Sequence, residues 1–404
     1  MEKTQRSGPL VGYRVLDLAG PAGLHCTKLL ADMGADVIKV EPPSGEESRR
    51  IPPYKDDIPH PETSLYFLHF NSNKRGITLN VATSDGRAIL LELVRKADVV
   101  IETFPVEQSE RLGLSYAQLS AVNPRLVAAS ITPFGRSGPW RDYKADDIAG
   151  IALGNLLYIA GERGKAPLQP AGELAYGMAS TYAAFGIAVA LYRRAASGRG
   201  QQIDVSMHEC AAHIAGYYIP HFSASGAKPA RAKRVSAEEA DLVDPFAVKD
   251  GYVRFFLVSR EQWRRLVEWM GSPPAISGPE FEKTTYRRQH PAIVRAAIAE
   301  FCCGFTKQEM YEEGQRRRIS VTPINTAGEF MESAQTKARE LFVELNHPVV
   351  GKYFEFAGVP RLTECPGAIH RPAPLLGEHN HEIYCGELGF ASDDLIALRA
   401  AGVI

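Results

Sequence analysis

The sequence has little of what would mark a secreted, membrane-spanning or nucleic-acid-binding protein. Only six of its 404 residues are cysteines: Cys26, Cys210, Cys302, Cys303, Cys365 and Cys385. They are scattered and form no CxxC pair, so the pattern is neither a disulfide framework nor a cysteine zinc site. The formal net charge is -1, so no global field draws the chain to nucleic acid or to an anionic membrane. Met1 to Leu10 is polar and lacks the apolar core of a secretion signal. The most apolar run, Tyr176 to Tyr192, includes Ser180, Thr181 and three tyrosines. It is shorter than a typical membrane span and reads as a buried helix. His379-Asn380-His381 has no cysteine or carboxylate cluster at ligand spacing and reads as structural rather than metal-binding. Reduced thiols in a cytoplasm are the expectation.

What is present is an ordinary globular composition, 45% hydrophobic and 23% charged, on a chain long enough for two domains with their own cores. In the first third, strands alternate with helices. Tyr13 to Leu18, Ala35 to Val40, Asp98 to Glu102 and Leu126 to Ile131 are strand candidates, and Leu24 to Met33 and Asp85 to Lys96 have helical spacing. This alternation predicts a doubly wound α/β domain with a mostly parallel sheet, which binds ligands beyond the carboxyl ends of its strands. Gln202 to Met207 is a further strand. Polar, alanine-rich Ser223 to Glu239 has linker character. The predicted organisation is a large domain over 1–222, a linker over 223–239, a small α+β domain over 240–330, and a linker and tail over 331–404. In the small domain a strand pair surrounds Asp250-Gly251, with helices at Arg260 to Met270, His290 to Phe301 and Thr306 to Arg317. Cys302-Cys303 follows an apolar helix and is expected to be buried. Trp140, Trp263 and Trp269 read as core or interface residues.

Several motifs occur in order along nearly the whole chain. They begin with Val15-Leu16-Asp17-Leu18 and continue through Leu29 to Glu41, then Asn71-Ser72-Asn73-Lys74-Arg75. Asp98 to Phe104 follows, then Glu110-Arg111-Leu112-Gly113-Leu114, Asn123-Pro124-Arg125-Leu126 and Phe134 to Pro139. Gly172-Glu173-Leu174-Ala175-Tyr176-Gly177 opens the apolar helix. Ser197 to Gln201 and Ala373 to His379 complete the set. No single piece is specific, but together they resemble a family III CoA-transferase of the carnitine, bile-acid and formyl-CoA type. The chain is similar also to one heteromeric member, the succinyl-CoA:benzylsuccinate CoA-transferase.

The resemblance implies that CoA moves from an acyl-CoA such as succinyl-CoA to an organic carboxylate, with no metal or redox cofactor beyond CoA itself. It also implies a homodimer, or a heterodimer with a paralogue, in which two ring-shaped subunits joined by long linkers interlock. Lys39, Lys74, Arg75 and Arg111, with Thr103 and Phe104, take the place of the CoA contacts. Glu173 stands where the family carries its nucleophilic aspartate. Three readings of Glu173 stay open: a working nucleophile, an ordinary first-turn acid in a silent subunit, or part of a racemase-type relative. The racemase triplet G-H-D is replaced by Ala145-Asp146-Asp147, without the histidine, which disfavours the last reading. Thr103 replaces the family's asparagine. The glycine-rich lid of formyl-CoA transferase is matched by the charged stretch Ser223 to Asp244, with Gly226 alone. Gly20-Pro21-Ala22-Gly23 is a turn before a helix, a place for pantetheine or a phosphate. It is not a GxGxxG fingerprint, so dinucleotide binding is a weaker alternative.

Overall fold

A computed structural model of the chain describes residues 7–162, 164–228, 245–257, 259–358 and 360–404. Most of the Ser223 to Asp244 stretch compared with a lid, and of the 223–239 linker, therefore lies outside the described residues. The chain divides into two compact units. One is Met1–Leu157, Pro170–Gly226 and Ala338–Ile404, and the other is Tyr158–Gln169 and Ala227–Lys337.

The larger unit is built on a parallel sheet of β1 (Arg14–Leu18), β2 (Asp36–Glu41), β3 (Arg75–Thr78), β4 (Val99–Glu102), β5 (Val127–Thr132) and β6 (Gln202–Ser206). Their order is β3-β2-β1-β4-β5-β6, and every neighbouring pair is parallel. Strands covered on both faces must be apolar on both. Accordingly Val15, Val37, Val99, Ile101, Val127 and Ala129 pack into one core, while Leu16, Ile38, Val40, Val100 and Ala128 pack into the opposite one. The helices are α1 (Pro21–Asp32), α2 (Leu65–Asn71), α3 (Ser84–Arg95), α4 (Val106–Arg111), α5 (Tyr116–Val122), α6 (Asp147–Leu153), α7 (Leu156–Ile159), α8 (Leu174–Ser197), α9 (Met207–Ile214) and α10 (Tyr218–Ser225).

Two expectations change here. The apolar run is the middle of a 24-residue helix, α8, long and apolar enough to cross a membrane by length and composition alone. It is not buried all round. Ala175, Ala179, Ala183, Ile187, Ala190 and Leu191 are buried against the sheet side, whereas Phe185 and Tyr192 are 68% and 85% exposed. The linker expected from 223 begins later, because 223–225 finish α10.

The smaller unit holds an antiparallel sheet of β7 (Phe246–Val248), β8 (Gly251–Phe255) and β9 (Val321–Ile324), in that order. Around it lie α11 (Arg260–Trp269), α12 (Thr284–Gln289), α13 (Pro291–Cys302), α14 (Lys307–Arg316), α15 (Ala327–Glu332) and α16 (Ala334–Ala338). Trp263 is fully buried in its core. Cys302 is buried there too, but Cys303 is exposed at the helix end, so the expectation of a buried pair holds for one thiol only. Residues 158–169, assigned from sequence to the large domain, group with this unit. The segment has no apolar period that would have shown its allegiance.

The tail belongs to the larger unit. It forms the hairpin β10 (Phe342–His347) and β11 (Gly351–Phe356), then α17 (Asn380–Tyr384) and α18 (Ser392–Ala400). His379 Nδ1 accepts the Gly76 N–H at 3.1 Å, and the Asn380 amide bonds Thr78 through both its backbone and its hydroxyl. The His-Asn-His segment thus pins the tail along edge strand β3.

Candidate functional site

In a 3-2-1-4-5-6 sheet, the connections after β1 and β4 leave in opposite directions, and the crevice between them is where such folds hold ligands. A cleft of about 310 Å³ lies there. It is lined by Pro21 and Ala22 after β1, Glu47 in the loop after β2, Thr103 and Pro105 after β4, Glu107 on α4, Ile131 and Thr132 at the end of β5, Pro133, the loop Arg141 to Ala145, Tyr176 and Met207. The loop brings Arg141, Tyr143 and Lys144 to the cleft. Among the described residues Arg141 pairs with its exposed neighbour Asp142 alone, a contact that contributes little in water. Tyr143 stacks on Trp140 at 18°. Trp140 is thus an exposed ring near the cleft rather than a core residue.

The six residues expected to contact CoA are scattered by the structure. Thr103 lines the cleft, and its Oγ1 accepts the Gly20 N–H at 2.8 Å, tying the β1 turn to the β4 turn. Phe104 packs against the core beneath. Arg111 is exposed at the end of α4 and is not among the cleft residues. Lys39, Lys74 and Arg75 are buried, and their charges are already matched. Lys74 Nζ lies 2.9 Å from Asp17 Oδ2, 2.6 Å from Thr27 Oγ1 and 2.8 Å from Asn71 Oδ1. Burial pushes its ammonium down to about 8, against the pull of Asp17. Lys39 donates to the Ala19 carbonyl and lies 3.7 Å from Asp17. Burial alone would raise the Asp17 carboxyl, but these two lysines hold it below its ordinary value. Arg75 grips Asp36, Glu382 and Glu387 at 2.6–2.7 Å. The three cations are paired internally, each drawn inward by a carboxylate that sequence position did not reveal.

The turn Gly20 to Gly23 also reads differently. The head of α1 faces carboxylates: a Cβ placed on Gly20 would sit 3.0 Å from Glu47 Oε1 and 3.5 Å from Glu46 Oε1. An anion at this helix start would meet the Glu47 carboxylate, which opposes the favourable dipole.

Glu173 occupies the N-cap position of α8, with φ -98° and ψ 78°, and its side chain makes no capping bond. The preceding Gly172 has φ +86°, a left-handed backbone that glycine tolerates best. That turn presents Glu173 outward. Its Oε2 accepts the Tyr66 hydroxyl at 2.6 Å. Partial burial and the Asp147 carboxylate push Glu173 above its ordinary range, against the Tyr66 bond, which favours the ionised form. The free N–H groups at the head of α8 are met instead by Asp147, whose Oδ1 accepts from Tyr176 at 3.0 Å. Asp147 reaches them because Gly150 on α6 lets the helices close; a Cβ there would lie 2.9 Å from that of Ala175. Sequence reasoning missed Tyr66 and did not single out Asp147. The one available signal for Asp147 was the doublet Asp146-Asp147 ahead of a helix, where a single residue can be the N-cap. Asp146 is that cap, accepting the Ala149 N–H at 3.1 Å.

Comparison with known proteins places this geometry. The family model for CoA-transferase family III matches residues 10–380. The subunit BbsE of succinyl-CoA:(R)-benzylsuccinate CoA-transferase from Thauera aromatica is 31% identical, over 96% of this chain and 97% of that protein. A formyl-CoA:oxalate CoA-transferase from Streptomyces avermitilis is 32% identical, over 98% and 99%. The crystal structure of a CAIB/BAIF family protein from Brucella suis superposes with a TM-score of 0.84 at 28% identity, covering 94% of this chain and all of that one. The chain belongs to CoA-transferase family III.

Proposed function

We propose that this chain transfers CoA from an acyl-CoA, of which succinyl-CoA is the first to test, to an organic carboxylate, with Glu173 as the nucleophile. The observation that carries the reading is Glu173 itself. It is an outward-facing carboxylate at the head of a long helix, freed from capping and fixed by a 2.6 Å bond from Tyr66.

In this scheme the Glu173 carboxylate attacks the thioester carbonyl and expels CoA thiolate, leaving a mixed anhydride. The thiolate attacks the glutamyl carbonyl, releasing the donor acid and giving a glutamyl-CoA thioester. The acceptor carboxylate then repeats the two steps in reverse. Protons and electrons balance without metal or redox help. Arg141 and Lys144 are the proposed partners of the CoA phosphates, and Tyr143 a stacking surface for its adenine. The neutral pantetheine arm suits the carboxylate-flanked head of α1 better than a phosphate does.

The assembly we propose is a dimer of interlocked subunits, either with a second copy or with a paralogue, in the cytoplasm. The exposed apolar face of α8, with Phe185, Val189 and Tyr192, and Tyr217, Ile219 and Phe222 nearby in the chain, supports a partner surface. A second reading, a silent subunit that supports a catalytic paralogue, is favoured by one observation: a relative is named as a subunit. Incubating the chain with succinyl-CoA, reducing with borohydride and mapping Glu173 by mass spectrometry separates the two. Reduction at Glu173 supports the nucleophile. An unmodified Glu173, alongside a trapped control enzyme of the family, supports the silent subunit.

A further inference from the structure

We propose that Asp147 is the positioning residue for Glu173: it takes the N–H groups at the head of α8, so Glu173 turns away from its own helix toward Tyr66 and carries a like charge at its back. This deepens the proposed function and rests on it for its catalytic meaning, although the placement of Glu173 can be tested without turnover.

A helix start exposes N–H groups that some acceptor must satisfy. Here the N-cap residue is glutamate, a poor cap, and its side chain does not perform the task. Asp147 does so from another helix. It is 7% exposed, and the N–H groups of Tyr176, Ala175 and Leu174 all act to favour its ionised form. Its second oxygen, Oδ2, is buried and has no hydrogen-bond partner among the described residues. A buried, half-satisfied carboxylate is costly to keep for packing alone. Its charge reaches Glu173, whose titration it opposes, and also Tyr176.

The titratable groups around the pair are Asp146 at the N-cap of α6, Tyr176 on α8 and Tyr66 on α2, with Glu46 in the loop after β2 acting on Tyr66. Helix α9 packs on both α6 and α8 and carries His208, Glu209 and His213. It meets α6 through Met207 and Ala211, which lie against Gly150 and Gly154. Helix α1 packs on α8 and carries His25 and Lys28. The nearest influences on Glu173 are therefore one hydroxyl that favours its charge and one carboxylate that opposes it.

The test is a pH series of carbodiimide and amine labelling at Glu173, read by peptide mass spectrometry and normalised to exposed Asp393. Labelling needs the protonated carboxyl, so its midpoint follows the Glu173 acid. Asp147→Asn should move the midpoint down by about one pH unit, or roughly fivefold less labelling at the wild-type midpoint. Tyr66→Phe, which removes the bond to the ionised form, should move it up. Asp147→Ser, which keeps an acceptor for the helix N–H groups, replaces Asp147→Asn if that variant does not fold by circular dichroism. A midpoint unchanged in the folded Asp147 variant, while Tyr66→Phe shifts, overturns the proposal. Borohydride trapping is scored separately: shifted midpoints without any trapped acyl species would keep the positioning role and sink the nucleophile.

Discussion

The substitution Glu173→Asp asks whether the site was built for glutamate. Shortening the side chain by one methylene draws the carboxylate back by roughly 1–1.5 Å, and misplacement on that scale costs about a hundredfold in rate. The Tyr66 hydroxyl now meets Oε2 at 2.6 Å, and after the retreat that bond is beyond hydrogen-bonding range. The expected result is therefore a fall in kcat/KM of about a hundredfold, which corresponds to about 2.7 kcal/mol of lost transition-state stabilisation. The assay follows CoA transfer from succinyl-CoA to a panel of carboxylic acids by chromatography of the new thioester. It is run on the chain alone and on the chain co-expressed with any paralogue that copurifies. Equal or higher activity in Glu173→Asp would refute the reasoning. It would mean that the geometry still suits an aspartate and that Tyr66 does not define the working position.

Three further outcomes are expected. In Tyr66→Phe the ionised Glu173 loses a donor, so its already raised pKa rises further. Nucleophilic activity, which needs the carboxylate, should then fall away at a higher pH on the acid side of the rate profile than in wild type. Arg141→Ala with Lys144→Ala should raise KM for the acyl-CoA about tenfold or more, with kcat little changed, and weaken the salt dependence of KM. A change in kcat with KM constant would place the phosphates elsewhere. Asp17→Asn leaves Lys39 and Lys74 buried without their shared counter-charge. The expected cost is about 3–5 kcal/mol, read as a large drop in thermal midpoint. A melting curve equal to wild type would show that the two lysines find other partners or leave the core.

Much of the fold is written locally. Val15 to Leu18, Val37 to Val40 and Val99 to Ile101 are apolar on both faces, and that pattern alone calls for a sheet covered on both sides. Strand β3 was not legible. Arg75-Gly76-Ile77-Thr78 contains one large apolar residue, and it becomes a strand because β2 pairs with it and the tail returns to bind it. The hairpin β10–β11 was hidden in the same way, its alternation read only as linker and tail. The chemistry divides along the same line. Glu173 could be found through the family resemblance, which matches it to the nucleophile position just before an apolar helix. Tyr66, 107 positions away, and Asp147, 29 positions from the N–H it binds, could not. Lys39, Lys74 and Arg75 are cations by composition, but whether a cation faces solvent or an internal carboxylate depends on which distant acid the fold brings within about 3 Å. Periodicity and turn chemistry act between near neighbours and so survive in the sequence. Charge pairing and helix capping across elements depend on through-space distance, which only the packed sheet and its helices set.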